Sequence, residues 1–162
     1  MATSTLIQFL GPGEAGDTSN RSQVETFLTT LTNATGVPAT ITLAAGDWVA
    51  LDTSKSGADR ALFVTRAANV ALGNPLVVGV AKTTASAELL NLESRDVQIE
   101  VTVAGYADVA NVDGAAVAGS PLAVDTTAGR AQVAVTGDIA VCGVALAADV
   151  ANVAPVFVYK KF

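Results

Sequence analysis

A glycine-rich stretch near the N-terminus has the spacing of a nucleotide-binding loop. Residues 11–16 read Gly-Pro-Gly-Glu-Ala-Gly, which matches G-x-G-x-x-G, and they follow a short apolar run. In a dinucleotide-binding fold the helix begins inside these glycines, so that its N-terminus faces the pyrophosphate. Here residues 17–20 intervene before any helical periodicity, and no alternation of strands and helices follows. The stretch therefore predicts a loop that binds no nucleotide.

Acidic residues between Asp108 and Gly114 resemble a calcium loop in composition but not in spacing. The pattern D-x-[DN]-x-[DN]-G ending at Gly114 requires an oxygen ligand at position 109, which is Val109. Ser120 occupies the place of the bidentate Glu. We therefore expect a solvated hairpin with Asp113-Gly114 as its turn, and neither a metal nor a cofactor.

The sequence lacks the histidine on which Ser–His and Cys–His catalysis depends. The chain contains no histidine, which excludes Ser–His and Cys–His catalysis and histidine metal sites. The single cysteine, Cys142, lies in an apolar run and is expected to be a small buried hydrophobe. No Asp or Glu has a recognisable catalytic context, so the sequence does not predict an enzyme.

Apolar residues at two places are the candidates for contact with a partner. One is the single tryptophan, Trp48, which is either a core residue or an interface anchor. The other is an N-terminal run that glycines separate from the rest of the chain. An isolated apolar strand can add to the edge of another sheet, so residues 2–16 are expected to contact another subunit or a partner protein instead of the parent core. The alternative is that the run is the first strand of the domain. Its apolar members are Leu6, Ile7, Phe9 and Leu10.

Composition limits the class of partner. The chain has 162 residues, which suits one domain, and a net charge of −6, which argues against nucleic-acid binding. Charged residues make up 15%, below the usual ~25%, so part of the surface is expected to be covered by a partner. The N-terminus lacks the pattern of a secretory signal, and no apolar stretch approaches ~18 residues. The chain is therefore expected to be made and kept in a reducing cytoplasm, with no membrane partner.

One helix is predicted, over residues 22–33. Ser22 followed by Glu25 forms a capping box, and Gly36 and Pro38 supply the stop. The apolar stripe has the spacing i, i+3, i+4, i+7 and consists of Val24, Phe27, Leu28 and Leu31.

After residue 38 the apolar period changes to two, which is typical of strands. The clearest example is Val97–Val103, with four apolar residues alternating with three polar ones. Ala85–Leu90 is expected to be a short helical turn or a loop. We predict a mainly β fold, a β-sandwich or β-barrel-like domain (21–162) with an N-terminal arm (1–20) and that one helix. The other predicted strands are 40–43, 48–51, 61–64, 76–81, 122–124, 130–135, 139–144 and 156–159.

A set of Gly and Val turn motifs in the last 65 residues gives a family resemblance. These motifs are Val-Thr-Val-Ala-Gly at 101–105, Ala-Gly-Ser-Pro-Leu at 118–122, Ala-Gly-Arg-Ala at 128–131, Cys-Gly-Val-Ala-Leu-Ala at 142–147 and Val-Phe-Val at 156–158. In these motifs the chain resembles the small capsid cement, or decoration, proteins of tailed bacteriophages. The resemblance implies a β-rich homotrimer that binds the outside of a phage head where capsomers meet.

The resemblance sets the functional expectation. We expect a non-enzymatic viral structural protein on the capsid surface of a virion, with the major capsid protein and its own copies as partners. A head-fibre or tail component is one alternative. A carbohydrate- or ligand-binding β module is another, although it usually displays several exposed aromatic residues and aromatics make up 5% of this chain.

Overall fold

The structure, a computed structural model, describes residues 22–68, 74–135, 138 and 140–159. Within these residues the chain is mainly β, as the sequence predicts, with one 3-10 turn at Gly57–Ala61. The described residues contain no helix of the length and apolarity needed to cross a bilayer. The strands are β1 Gln23–Thr32, β2 Ala39–Leu43, β3 Trp48–Leu51, β4 Val64–Arg66, β5 Val77–Ala81, β6 Ala85–Leu89, β7 Ser94–Asp113, β8 Pro121–Val124, β9 Ala131–Val133, β10 Val141–Ala145 and β11 Val153–Val158.

Five strands close into a barrel. Their order is β7-β9-β8-β10-β11, and β11 pairs with β7 to complete the ring. Every pairing is antiparallel except that of β7 with β9, which is parallel at Val112 and Ala131. Closure leaves these strands without a free edge over their paired lengths.

The 20-residue strand β7 joins the barrel to a second layer of strands. Its C-terminal half belongs to the barrel, whereas its N-terminal half pairs with β1 on one edge and with β5 on the other. Strands β3 and β4 continue from β5, and the separate β2–β6 pair packs nearby. We call β1 to β6, with the first half of β7, the outer layer.

The described residues form two buried hydrophobic clusters, one inside the barrel and one in the outer layer. Strands β3 and β5 contribute to both, because Ala50 and Val80 belong to the barrel cluster and Val49 and Val78 to the outer one. A strand that is buried on both faces carries an almost continuous apolar run. This explains the runs Trp-Val-Ala-Leu in β3 and Val-Val-Gly-Val-Ala in β5.

Trp48 is the largest side chain of the barrel core and is completely buried. Its indole Nε1–H donates to the carbonyl of Asn111 at 3.1 Å. Gly143 provides the space, since a Cβ there would lie 2.6 Å from the Phe157 carbonyl oxygen and 3.1 Å from Trp48 Cη2. Trp48 is therefore a core residue, the first of the two alternatives, and no part of its side chain is left for contact with a partner.

The helix predicted at 22–33 is wrong, because Gln23–Thr32 forms strand β1. β1 pairs with β7 along its whole length, from Gln23 opposite Ala104 to Thr32 opposite Ser94. Four threonines at positions 26, 29, 30 and 32 suit this pairing, since β-branched side chains favour strands over helices. The non-local pairing with β7 therefore outweighs the helical spacing of the apolar residues.

Two further local predictions are corrected. Asp113-Gly114 is not the turn of a hairpin, because β9 lies between β7 and β8 in the sheet. Residues 85–89, expected to be helical or a loop, form strand β6 and pair with β2. The strand Val97–Val103 is confirmed within β7.

Candidate interaction surface

Among the described residues, Asp47 is one of two buried carboxylates, and both of its oxygens accept hydrogen bonds from neighbouring strands and loops. Oδ2 accepts hydrogen bonds from Arg66 Nε at 2.7 Å and from the Ala44 amide at 3.0 Å. Oδ1 accepts one from Asn111 Nδ2 at 2.8 Å. Gly129 packs so closely that a Cβ there would lie 2.9 Å from Oδ1. Asp47 thus ties β3 to β4 and β7, and its surroundings leave no room for a substrate.

Asp125 is a second buried acid, and it organises a turn. Burial raises the pKa of its carboxyl, but hydrogen bonds from the backbone and side chain of Thr126, and from Thr127, outweigh burial and lower the pKa. The Thr126 amide donates to Oδ1 at 2.6 Å, and the Asp125 amide donates to the Arg130 carbonyl at 2.9 Å. The carboxylate is therefore held ionised by the turn that leads into β9.

One open groove lies on the outer layer, with a volume of about 580 Å³. Its charged residues are Glu88, Glu93 and Arg95. The hydrogen bond from the Leu90 amide is the main cause that lowers the pKa of Glu93. The guanidinium of Arg95, 3.0 Å away, lowers this pKa further. Two of the three charges therefore neutralise each other.

The described residues offer no cluster of side chains for binding a metal ion. No group of three or more His, Cys, Asp or Glu side chains among them has the geometry to hold a metal ion. Every buried side-chain nitrogen or oxygen in this part of the chain has a hydrogen-bond partner. What remains as a candidate site is exposed surface, and two parts of the barrel surface are apolar.

The first apolar surface is one end of the barrel, where the topology collects three loops. β7, β9 and β10 end there, and β8 and β11 begin there. Each of the three loops carries at least one exposed apolar side chain. We call this surface the apolar end; its residues are Val117 (59% exposed), Val135 (65%), Leu146 (42%) and Val150 (75%).

Backbone hydrogen bonds between the loops fix the apolar end. The Gly119 amide donates to the Ala145 carbonyl at 2.8 Å, and the Asp149 amide donates to the Ala116 carbonyl at 3.1 Å. The Ala134 amide donates to the Pro121 carbonyl at 2.8 Å, which joins the third loop to the others. The four apolar side chains therefore stand on connected loops.

The same loops hold residues in an unfavourable backbone conformation. Ala115 and Ala151 have φ values of 39° and 52°, and Asn152 has 63°. Alanine pays a steric cost in this region, which glycine does not. Such residues concentrate at functional sites, where the surrounding structure enforces them. This is a second observation, independent of exposure, that marks the apolar end.

The apolar end has an acidic border. Asp113 is the last residue of β7, and Asp138 and Asp149 lie in the loops. Residues 105–159 contain one basic residue, Arg130, which directly precedes β9. An apolar centre with a charged border is the usual composition of a protein interface. This surface suits an apolar partner surface with a basic border.

The second apolar surface crosses the outside of the barrel wall. Tyr106 lies opposite Phe157, Phe157 lies opposite Val144, and Val144 lies opposite Pro121. All four side chains point outward, because their neighbours Ala107, Val156, Ala145 and Leu122 point into the core. Tyr159 extends the surface, with its ring centre 6.4 Å from that of Phe157. We call Tyr106, Phe157, Val144 and Pro121, together with Tyr159, the apolar row.

Sequence reasoning did not find either surface. Leu6, Ile7, Phe9 and Leu10 lie outside the described residues, so their predicted contact stays a prediction, and Trp48 lies in the core. Val117 and Val150 stand in turn segments with small and polar neighbours, and this was the available signal for the apolar end.

Comparison with known proteins adds no assignment: no family model matches the chain, and no curated protein sequence matches it.

Proposed function

We propose that the chain is a capsid decoration protein, a non-enzymatic subunit that binds the outer surface of a phage head and stabilises it by bridging capsomers. The motifs at 101–105, 118–122 and 142–147 suggest this family. The observation that carries the proposal is the apolar end with its acidic border, a surface suited to a protein partner. The partner is the major capsid protein, and the subunit acts as a homotrimer.

The proposed mechanism is multivalent. Each subunit of a trimer contributes one apolar end, and the three ends together contact several capsomers. Once one end binds, the others act at a high effective concentration, so weak individual contacts add up to a strong clamp. The acidic border steers the subunit towards basic positions on the shell, which makes association faster at low salt.

Co-sedimentation with heads tests the proposal. Heads of the phage whose genome encodes the chain, prepared without this protein, are mixed with the purified trimer and pelleted. We expect Val117→Asp and Val150→Asp to weaken binding by at least ten-fold, since each places a charge in the apolar contact. Val37→Asp is the matched control, because Val37 is equally exposed (60%) but belongs to the outer layer.

Three results would contradict the proposal. The first is a wild-type protein that stays in the supernatant at micromolar concentration. The second is an equal loss of binding in Val37→Asp and Val117→Asp. The third is binding that does not weaken as salt rises, which would remove the role of the acidic border. If electron microscopy placed the protein on a fibre or on the tail, the alternative of a head-fibre or tail component would replace decoration.

The apolar row gives some support to a second candidate, a ligand-binding β module. Phe157 and Tyr159 are each 41% exposed, and their rings lie side by side. The rings are tilted by 59° to each other, so either exposed ring can stack on a sugar ring. Glycan binding that is lost in Tyr159→Ala but kept in Val117→Asp would favour this candidate over decoration.

A further inference from the structure

The apolar row is unusual for the outside of a barrel. Along a strand, polar side chains that point outward normally alternate with apolar side chains that point inward. Here the outward side chains on four neighbouring strands, β7, β11, β10 and β8, are Tyr106, Phe157, Val144 and Pro121. None of them is charged, and such a continuous apolar surface is normally covered.

The row lies beside the point where the N-terminal segment joins the domain. β1 begins with Gln23 opposite Ala104, and β11 ends with Val158 opposite Gly105, the next residue of β7. Ser22 Oγ donates to the carbonyl of Tyr106 at 2.5 Å. The N-terminal segment is thus attached at one end of the row.

The length of the N-terminal segment fits the row. Eleven residues, 11–21, separate Leu10 from Ser22, and they include Gly11, Gly13 and Gly16. Eleven residues of random-coil chain have an end-to-end distance of about 19 Å. Four strands span about 14 Å across the row. A connection of this length is therefore long enough for residues 6–10 to reach the row of the same chain, at an effective concentration in the millimolar range.

The chemistry of the two surfaces also matches. Four of the five residues at 6–10 are apolar, and the row carries no charge. Contact must be made by side chains, since β11, β10 and β8 each pair with neighbours on both edges and cannot accept another strand. This excludes addition of the segment as a further strand at the row.

We propose that Leu6, Ile7, Phe9 and Leu10 pack across the apolar row of their own barrel. This assigns the N-terminal run to its own domain, the alternative to contact with another subunit or a capsid, and gives it a specific place there. The contact covers Phe157 and Val144 and leaves the apolar end free. It does not depend on the proposed decoration function.

Disulfide formation in the full chain tests the contact. Phe9→Cys is combined with Val144→Cys in a Cys142→Ala background, which removes the native buried thiol. We expect an intrachain disulfide, seen as a faster-migrating monomer on a non-reducing gel, to form at least ten times faster than in the control pair Phe9→Cys with Thr40→Cys. Thr40 is exposed on β2, in the outer layer. Phe9→Cys with Tyr159→Cys is a second row pair, in case the first does not fold.

Equal rates for the row and control pairs overturn the proposal, as does a disulfide-linked dimer as the main product. Dye binding gives an independent readout. Leu6→Asp with Phe9→Asp should uncover the row and raise the fluorescence of a hydrophobic dye, and adding Phe157→Ser should reverse most of that rise. Unchanged dye fluorescence in the double variant would also overturn the contact. Because no head is present in either assay, their failure is distinct from failure of the proposed function.

Discussion

At the scale of single residues, Ile99 and Gln98 lie on opposite faces of β7. Ile99 is 1% exposed in the outer-layer core, opposite Phe27, whereas Gln98 is exposed. Ile99→Asp buries an unpaired charge and should lower the free energy of unfolding by several kcal/mol. Gln98→Asp should change it by less than about 0.5 kcal/mol. Urea unfolding measures both, and a comparable loss in the two variants would contradict the assigned faces.

Asp125 gives a residue-scale prediction about pH. Its folded-state pKa is lowered despite burial, because Thr126 and Thr127 donate hydrogen bonds to the ionised form. The stability from this carboxylate is therefore present above the unfolded pKa of about 3.9 and is lost as pH falls through the folded value. Asp125→Asn should cost roughly 1 kcal/mol at pH 7.

The loss from Asp125→Asn should shrink as the pH is lowered from about 5 to about 2, because the wild-type carboxylate is protonated over that range. Thermal unfolding of both proteins across this range checks the sign. A difference in stability that stayed constant with pH would show that ionisation of Asp125 does not contribute.

At the scale of elements, local pattern predicted most strands but not β1. Alternation sufficed for Val97–Val103, and Gly and Asp residues marked the turn before Trp48. In β1 the spacing of Val24, Phe27, Leu28 and Leu31 is compatible with a helix. The segment is a strand because it pairs with β7, about seventy residues later. The sequence of the segment alone does not indicate such non-local pairing.

The candidate surfaces were less predictable than the strands for the same reason. Val117, Val135 and Val150 belong to three different loops. They lie at the same end of the barrel because β9 runs parallel to β7 and therefore ends at the same side. The hairpin predicted at Asp113-Gly114 would not place these loops at the same end of the barrel. The order of the strands in the sheet places these loops together, and the types of the residues in them do not indicate that order.

Thr26 provides a test of β1 at the element scale. Its side chain is exposed, and its partner in β7 is Glu100. Thr26→Ala lowers strand propensity and raises helix propensity, so a strand should lose about 0.5 kcal/mol and a helix should gain a similar amount. Chemical denaturation gives the sign. Thr40→Ala on the exposed face of β2 is the matched control, and this variant should also lose stability. A gain in stability for Thr26→Ala alone would contradict the strand and support the predicted helix.

At the scale of the whole molecule, charge is distributed unevenly. The ion pairs that the described residues form, Asp47 with Arg66, Glu93 with Arg95 and Glu100 with Lys82, lie in or beside the outer layer. Residues 105–159 carry six charged side chains, five of which are Asp. The outer layer is thus solvated by mixed charges, whereas the barrel presents apolar surfaces with acidic borders. This asymmetry favours the barrel as the part that meets partners.

The last prediction concerns the oligomer. Light scattering of the purified chain should give three times the monomer mass of 16.2 kDa, since a core rich in Ala and Val and a charge-poor barrel favour association. Val150→Asp should leave the trimer intact while it weakens binding to heads, because we assign the apolar end to the capsid. A monomeric wild-type protein at micromolar concentration would contradict the trimer. If Val150→Asp dissociated it, the apolar end would be the subunit interface, and its effect on head binding would be indirect.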